Sequence, residues 1–172
     1  MDEVLEGKRI LIVDDEPDIL DTLKELLDMC LIDTAPNFET AQKFLKCGSY
    51  DAAILDIMGV KGYDLLESAK EKNIPSLMLT AHALSPDNLV KSLKKGAQSY
   101  IPKDQMVDIG TYLAEIIQAR KKGLRKPQKW LERLAPFFAK KFGPEWKAEH
   151  KEFWAEYDRV KPITKKEVED ML

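Results

Sequence analysis

Short apolar runs alternate with helical periodicities along the first two thirds of the chain. Ile10-Leu11-Ile12-Val13 is an unbroken apolar run that stops at Asp14-Asp15. A run of this kind suits a strand buried on both faces, as in a parallel sheet. Ile19, Leu20, Leu23, Leu26 and Leu27 then recur at helical spacing, with Glu16 and Asp18 favourably placed at the helix start. Leu31-Ile32 predicts a weak second strand, and Phe38, Ala41, Phe44 and Leu45 a second helix stopping near Cys47-Gly48. Ala52-Ala53-Ile54-Leu55 predicts the third strand, again ended by an acid, Asp56, and residues Tyr63 to Lys72 the third helix. Ser76-Leu77-Met78-Leu79 is the fourth strand, ending at Thr80. Leu89, Val90, Leu93 and Ala97 mark the fourth helix. Tyr100-Ile101 is the fifth strand, ending at Pro102-Lys103, and Val107, Leu113, Ile116 and Ile117 mark the fifth helix, finished by Gly123.

Five strand–helix units in this length predict a doubly wound α/β sheet, because parallel strands need helical crossovers. Ligands of such sheets sit beyond the carboxyl ends of the strands. Asp14, Asp15, Asp56, Thr80 and Lys103 all stand at those ends and should converge on one edge. Clustered carboxylates repel unless a cation intervenes. A hard, oxygen-liganded divalent ion such as Mg²⁺ suits them better than zinc, for which the site lacks thiols and imidazoles. A carboxylate so supported can attack phosphorus. Thr80 can donate to a phosphoryl oxygen and Lys103 can balance its charge.

Beyond residue 121 the character of the chain changes. Residues 1–120 carry 13 Lys+Arg against 21 Asp+Glu, whereas residues 121–172 carry 14 against 9, which leaves −3 in total. Eight of the fourteen aromatic residues lie from Pro127 onward. Trp130, Leu134, Phe137, Phe138 and Phe142 form one helical face, with Pro136 a potential kink. Gly143-Pro144 interrupts, and Trp146, His150, Phe153, Trp154 and Tyr157 form a second face. Lys161-Pro162 interrupts again before a capping-box pattern, Thr164 with Glu167. So short a stretch rarely sustains a core alone. Its aromatic faces are expected to dock on a protein surface, foremost that of a second copy in a homodimer, with folding back on the same chain as the rival. The interleaved Glu145, Glu149, Glu152 and Glu156 favour an ordinary helix surface over a nucleic-acid or membrane contact.

Composition adds limits. Hydrophobic residues at 44% exclude a disordered chain, and no run has the length of a membrane span. The acidic Met1-Asp2-Glu3-Val4-Leu5-Glu6 start lacks the plan of a signal peptide, which predicts a cytoplasmic location. Cys30, Cys47, His82 and His150 are too scattered for structural zinc.

The segments Ile10 to Glu16, Tyr50 to Met58, Leu79-Thr80-Ala81 and Gly96 to Lys103 together resemble the receiver domain of two-component response regulators, the chemotaxis-type fold, over roughly residues 7–120. The resemblance implies a flavodoxin-like, five-stranded parallel sheet of order 2-1-3-4-5. It divides the chain into a receiver, residues 1–122, and a helical C-terminal extension, residues 123–172. By resemblance Asp56 is the phosphoacceptor, with Thr80 and Lys103 completing the catalytic set. Asp14, Asp15, Asp56 and the carbonyl of Met58 would hold Mg²⁺, and Thr80 and Tyr100 would be the switch residues. The family implies phosphorelay signalling. A histidine kinase or phosphotransfer protein is the phosphoryl source, and the responding face is built by the fourth helix, fifth strand and fifth helix. That face is a second route to a homodimer. The only enzymatic activity implied is self-phosphorylation and autodephosphorylation.

Two departures stand out. The loop Ile57-Met58-Gly59-Val60-Lys61-Gly62 is about two residues shorter than the commonest family form and lacks its proline. Asp104 follows Lys103, with proline on the other side at Pro102. The alternatives are an aspartate-nucleophile phosphatase or phosphotransferase, disfavoured because Asp14 and Asp15 are adjacent, and an interaction module that no longer takes phosphate.

Overall fold

In the computed structural model, which describes residues 1–124, 126–127 and 129–159, the apolar runs lie side by side as one parallel sheet. Strands β1 (Arg9–Val13), β2 (Leu31–Ala35), β3 (Ala52–Leu55), β4 (Ser76–Thr80) and β5 (Ser99–Pro102) take the order β2-β1-β3-β4-β5. Every neighbouring pair is parallel. The central strands β3 and β4 are buried along their whole length, which is why they read as continuous apolar runs rather than alternating ones.

Helices α1 (Asp2–Leu5), α2 (Pro17–Leu26), α3 (Phe38–Cys47), α4 (Gly62–Glu71), α5 (Pro86–Lys94) and α6 (Ile109–Lys121) surround the sheet. Their starts follow local chemistry. Asn37 accepts a hydrogen bond from the Thr40 amide to cap α3, and Ser85 accepts one from the Asn88 amide to cap α5. Proline occupies the first turn of α2 and of α5, where its missing N–H costs nothing. The predicted fifth helix is two pieces, a 3-10 turn over Lys103–Asp108 and then α6. The short α1 was not foreseen. Four residues are too few to show a period, yet Leu5 is wholly buried against α6.

The C-terminal segment forms α7 (Trp130–Phe142), a 3-10 turn over Ala148–His150, and α8 (Lys151–Arg159). Pro136 lies inside α7. The capping-box segment from Thr164 lies outside the described residues. Trp130, Leu134, Phe138, Trp146 and Trp154 are buried and belong to the same continuous core as the sheet. The Phe138 ring lies 6.2 Å from that of Tyr100 in β5, centroid to centroid. Arg133 pairs with Glu115 and lies over the Tyr112 ring, both on α6. His150 Nε2 is 2.8 Å from Asp87 Oδ1, and the Lys94 ammonium sits over Phe153, both partners being on α5.

These contacts are the arrangement named above as the rival to a homodimer, the C-terminal segment folded back on its own chain. The faces are covered by the α5–β5–α6 surface of the same chain, so their burial needs no second copy. Docking there also occupies the face named as the other route to a dimer. Hiding a large apolar side chain contributes roughly 1.5–3 kcal/mol, which favours folding of this aromatic segment back onto the sheet and its helices. Among the described residues no helix is long and apolar enough to cross a membrane.

Candidate functional site: an acidic edge with one buried lysine

Strand register brings the site together. Val13 and Leu55 are paired at the ends of β1 and β3, so the residues that follow them, Asp14 and Asp56, emerge side by side. The Asp56 amide donates to the Val13 carbonyl at 2.9 Å, and the Asp14 amide to Ala35 at 3.2 Å. Thr80 pairs with Pro102 at the ends of β4 and β5, and Lys103 follows at once. Asp14, Asp56 and Thr80 are buried polar residues among an otherwise apolar core.

Lys103 is the hub. Its Nζ lies 2.8 Å from Asp14 Oδ2, 3.1 Å from Glu16 Oε1 and 3.3 Å from Asp56 Oδ2, with its side chain only 7% exposed. One ammonium thus faces three carboxylates, and Asp15 stands beside them. The carboxylates of Asp14, Asp15 and Glu16 bring one oxygen each within 4.8 Å of one another. Asp56 is outside that tight group and is joined to Asp14 through Lys103. Its other oxygen, Oδ1, accepts from the Ile57 amide at 2.9 Å.

The electrostatics follow from this excess of negative charge. Burial raises the Asp56 carboxyl to about 6; the Asp14 charge adds to the rise and Lys103 opposes it. Asp14 is raised too, because burial outweighs its bonds to Lys103 and the Glu16 amide. Burial alone would lower Lys103, but Asp14, Asp56 and Glu16 together push it up and keep it cationic. Raised carboxyls in a folded protein signal an environment that disfavours their charge, and a divalent cation would relieve it.

The short loop after β3 works by close approach. Gly59 has φ +81°, and a Cβ there would fall 2.2 Å from Asp15 Oδ2. A Cβ on Gly62 would fall 1.9 Å from the Asp56 carbonyl oxygen. The backbone at Gly59 therefore lies directly on the Asp15 carboxylate, and that at Gly62 on the main chain of Asp56. Met58 lies in this loop and its residue is 54% exposed. All peptide bonds in the described residues are trans, including that of Lys103 to Asp104.

Sequence reasoning placed Asp14, Asp15, Asp56, Thr80 and Lys103 on one edge, and the structure gathers them there. Tyr100 is set apart. It is buried within β5, its hydroxyl donating to the Ala83 carbonyl at 2.6 Å. Glu16 was read only as a helix-start acid; its bond to Lys103 makes it part of the site. The signal was its position directly after Asp14-Asp15. His82 Nε2 comes within 3.9 Å of Glu16 at the exposed rim.

A sheet of this order with this edge defines a receiver-type α/β protein. The sequence model of the response regulator receiver domain matches residues 10–113, and the chain belongs to that family. It is 32% identical over 108 residues to the transcriptional regulatory protein TcrA of Mycobacterium tuberculosis, covering 59% of this chain and 42% of that protein. It is 36% identical over 98 residues to the heme response regulator HssR of Staphylococcus aureus, covering 54% and 43%. The chain thus spans less than half the length of these relatives. Among solved structures, a CheY-like receiver domain protein of Methanospirillum hungatei matches at 30% identity and a TM-score of 0.63, covering 69% of this chain and 99% of that one.

Proposed function

We propose that this chain is a phosphoacceptor module of a cytoplasmic phosphorelay, with residues 1–122 as the receiver and 123–172 as a helical extension. Asp56 takes the phosphoryl group. The observation that carries this reading is the single buried lysine bridging Asp14 and Asp56, 2.8 and 3.3 Å away, at the carboxyl ends of adjacent strands. Lys103 is placed to hold a phosphoryl oxygen on Asp56 as readily as the carboxylate itself.

The step is a displacement at phosphorus. A carboxylate oxygen of Asp56 forms a bond to phosphorus as the bond to the donor breaks. The donor nitrogen of a phosphohistidine, on a histidine kinase or phosphotransfer protein, leaves with the electron pair. Lys103 balances the charge of the transferred group, and the Thr80 hydroxyl donates to one of its oxygens. Asp14, Asp15, Asp56 and the Met58 carbonyl would hold Mg²⁺, and the surplus of carboxylates over ammonium groups fits a divalent cation. When bound, Mg²⁺ supplies charge neutralisation between the carboxylate and the incoming phosphoryl oxygens. Apart from loading and losing its own phosphoryl group, the module carries out no catalysis.

Intact mass after incubation with acetyl phosphate and Mg²⁺ tests this. One labile phosphoryl adduct per chain supports it. Multiple turnover of an unrelated phosphate ester would instead indicate a phosphatase, and no adduct and no turnover an interaction module.

A further inference from the structure

The fold-back of the C-terminal segment builds a second cluster of metal-ligating side chains, separate from the acidic edge. Asp87 stands in the first turn of α5, and Glu149 and His150 are adjacent on the 3-10 turn Ala148–His150. His150 Nε2 lies 2.8 Å from Asp87 Oδ1. One oxygen of Asp87, one of Glu149 and a ring nitrogen of His150 all come within 4.8 Å of one another. Donors around a tetrahedral ion bound at about 2.0–2.2 Å are roughly 3.3 Å apart, so small side-chain adjustments seat an ion among these three.

A histidine–carboxylate ion pair accounts for two of the groups and leaves Glu149 over. Two carboxylates face one imidazole, and no lysine or arginine among the described residues pairs with either. Lysines are at hand on the same elements, but they are turned to aromatic rings. Lys91 and Lys94 of α5 lie over Tyr63 and Phe153, and Lys147, just before the turn, lies over Trp146 and Trp154. The local cations therefore leave the cluster uncompensated. It is also open: the Asp87 side chain is 80% exposed and that of His150 24%, so an ion has a path in and water can complete its shell.

Donor chemistry selects the ion. The acidic edge offers oxygen alone, which suits Mg²⁺. An imidazole nitrogen suits zinc and its first-row neighbours, and zinc takes three protein ligands with a fourth position left for water. The thiols and imidazoles of the chain are too few for a structural zinc site. Here two carboxylates supply what they do not, and His150 lies 63 positions from Asp87 until the chain folds back.

We propose that Asp87, Glu149 and His150 form a second divalent-metal site, for Zn²⁺ or a similar first-row ion, that clips the C-terminal helices to α5. The site is independent of Asp56 and of the phosphoacceptor reading. Its ligands come from both sides of the joint, so it exists only in the folded-back chain, and a metal bound there stabilises that arrangement by mass action.

The test is calorimetric titration of the untagged full chain with Zn²⁺ in saturating Mg²⁺, which occupies the acidic edge. One Zn²⁺ per chain is expected, with a melting temperature that rises on addition and falls back on chelation. His150→Ala and, separately, Glu149→Gln should weaken binding by about tenfold or more, the loss that even a partner behind a metal ligand causes. Circular dichroism checks that each variant keeps its fold. The chain has two histidines, so ring resonances identify the ligand by NMR. Zn²⁺ should shift those of His150 and leave those of His82, which borders the acidic edge near Glu16. His82→Ala should bind as the wild type does. Zn²⁺ binding that is absent, that persists undiminished in both variants, or that is lost with His82→Ala overturns the proposal. So does a melting temperature that rises equally in His150→Ala.

Discussion

The acidic edge and the aromatic seam under α7 and α8 lie three residues apart along the chain, at Lys103 just after β5 and Tyr100 within it, and they are opposite kinds of surface. At the edge, charge is in surplus: Lys103 alone answers Asp14, Glu16 and Asp56, and burial raises both Asp14 and Asp56. At the seam, the apolar faces are matched: Phe138 is fully buried and its neighbouring rings pack at centroid distances of 5.4–6.2 Å. The fold spends stability to keep the edge charged and regains it by closing the seam. The two are joined through Thr80, Ala83 and Tyr100.

The comparison breaks most completely at Asp56. Asp56→Asn keeps the side-chain shape but removes the nucleophilic carboxylate. The phosphoryl adduct seen by intact mass should vanish while the circular dichroism spectrum is retained. A persisting adduct at full stoichiometry would place the acceptor elsewhere.

Next in size is the seam itself. Phe138→Ala empties a fully buried position between Tyr100, Phe142 and Trp146. A cost of about 3–5 kcal/mol is expected in urea unfolding. If helices and sheet form one core, tryptophan emission and far-ultraviolet ellipticity should unfold together in the wild type. Emission transitions well ahead of ellipticity would show that the seam opens separately.

Mg²⁺ sharpens the contrast from the other side. A cation that binds only the folded edge stabilises by mass action, about 2.7 kcal/mol at a concentration 100 times its Kd. The melting temperature should rise with added Mg²⁺ and fall back on chelation. Asp15→Ala should remove most of that rise while leaving the seam intact. A wild-type melting temperature that ignores saturating Mg²⁺ would deny the edge its cation.

The two regions also differed in how far the sequence exposed them. The edge was legible because parallel strands end together: acids after Val13 and Leu55, a threonine at the end of β4 and a lysine after β5 must meet once the sheet order is known. Glu16 escaped because its partner, Lys103, is 87 positions away and a helix-start acid explained it locally. The seam was legible as two apolar helical faces and no further. Periodicity states that a face will be covered but carries no information on what covers it, and Tyr100 and Phe138 are brought together by tertiary packing alone. Asp87 gave no signal and His150 only its place on the second helical face, since their pairing exists only once the chain folds back.

The smallest effect discriminates best between the two regions. Arg133 ties α7 to Glu115, and both side chains reach solvent, with Arg133 37% exposed and Glu115 18%. An ion pair in that setting contributes about 0–1 kcal/mol. The guanidinium also lies over the Tyr112 ring with its carbon 5.1 Å from the centroid, a contact worth roughly 0.5–1 kcal/mol at exposed sites. Arg133→Ala should therefore lower stability by about 1 kcal/mol in urea unfolding, the sum of two weak terms. High salt screens the pair and leaves the ring contact, so the loss should shrink in high salt without vanishing. Arg133→Lys separates them further, because lysine keeps the charge but not the planar group that lies on the ring. Its deficit should therefore persist in high salt. A deficit for Arg133→Ala that disappears entirely in high salt would show that the seam, like the edge, is held at this point by charge.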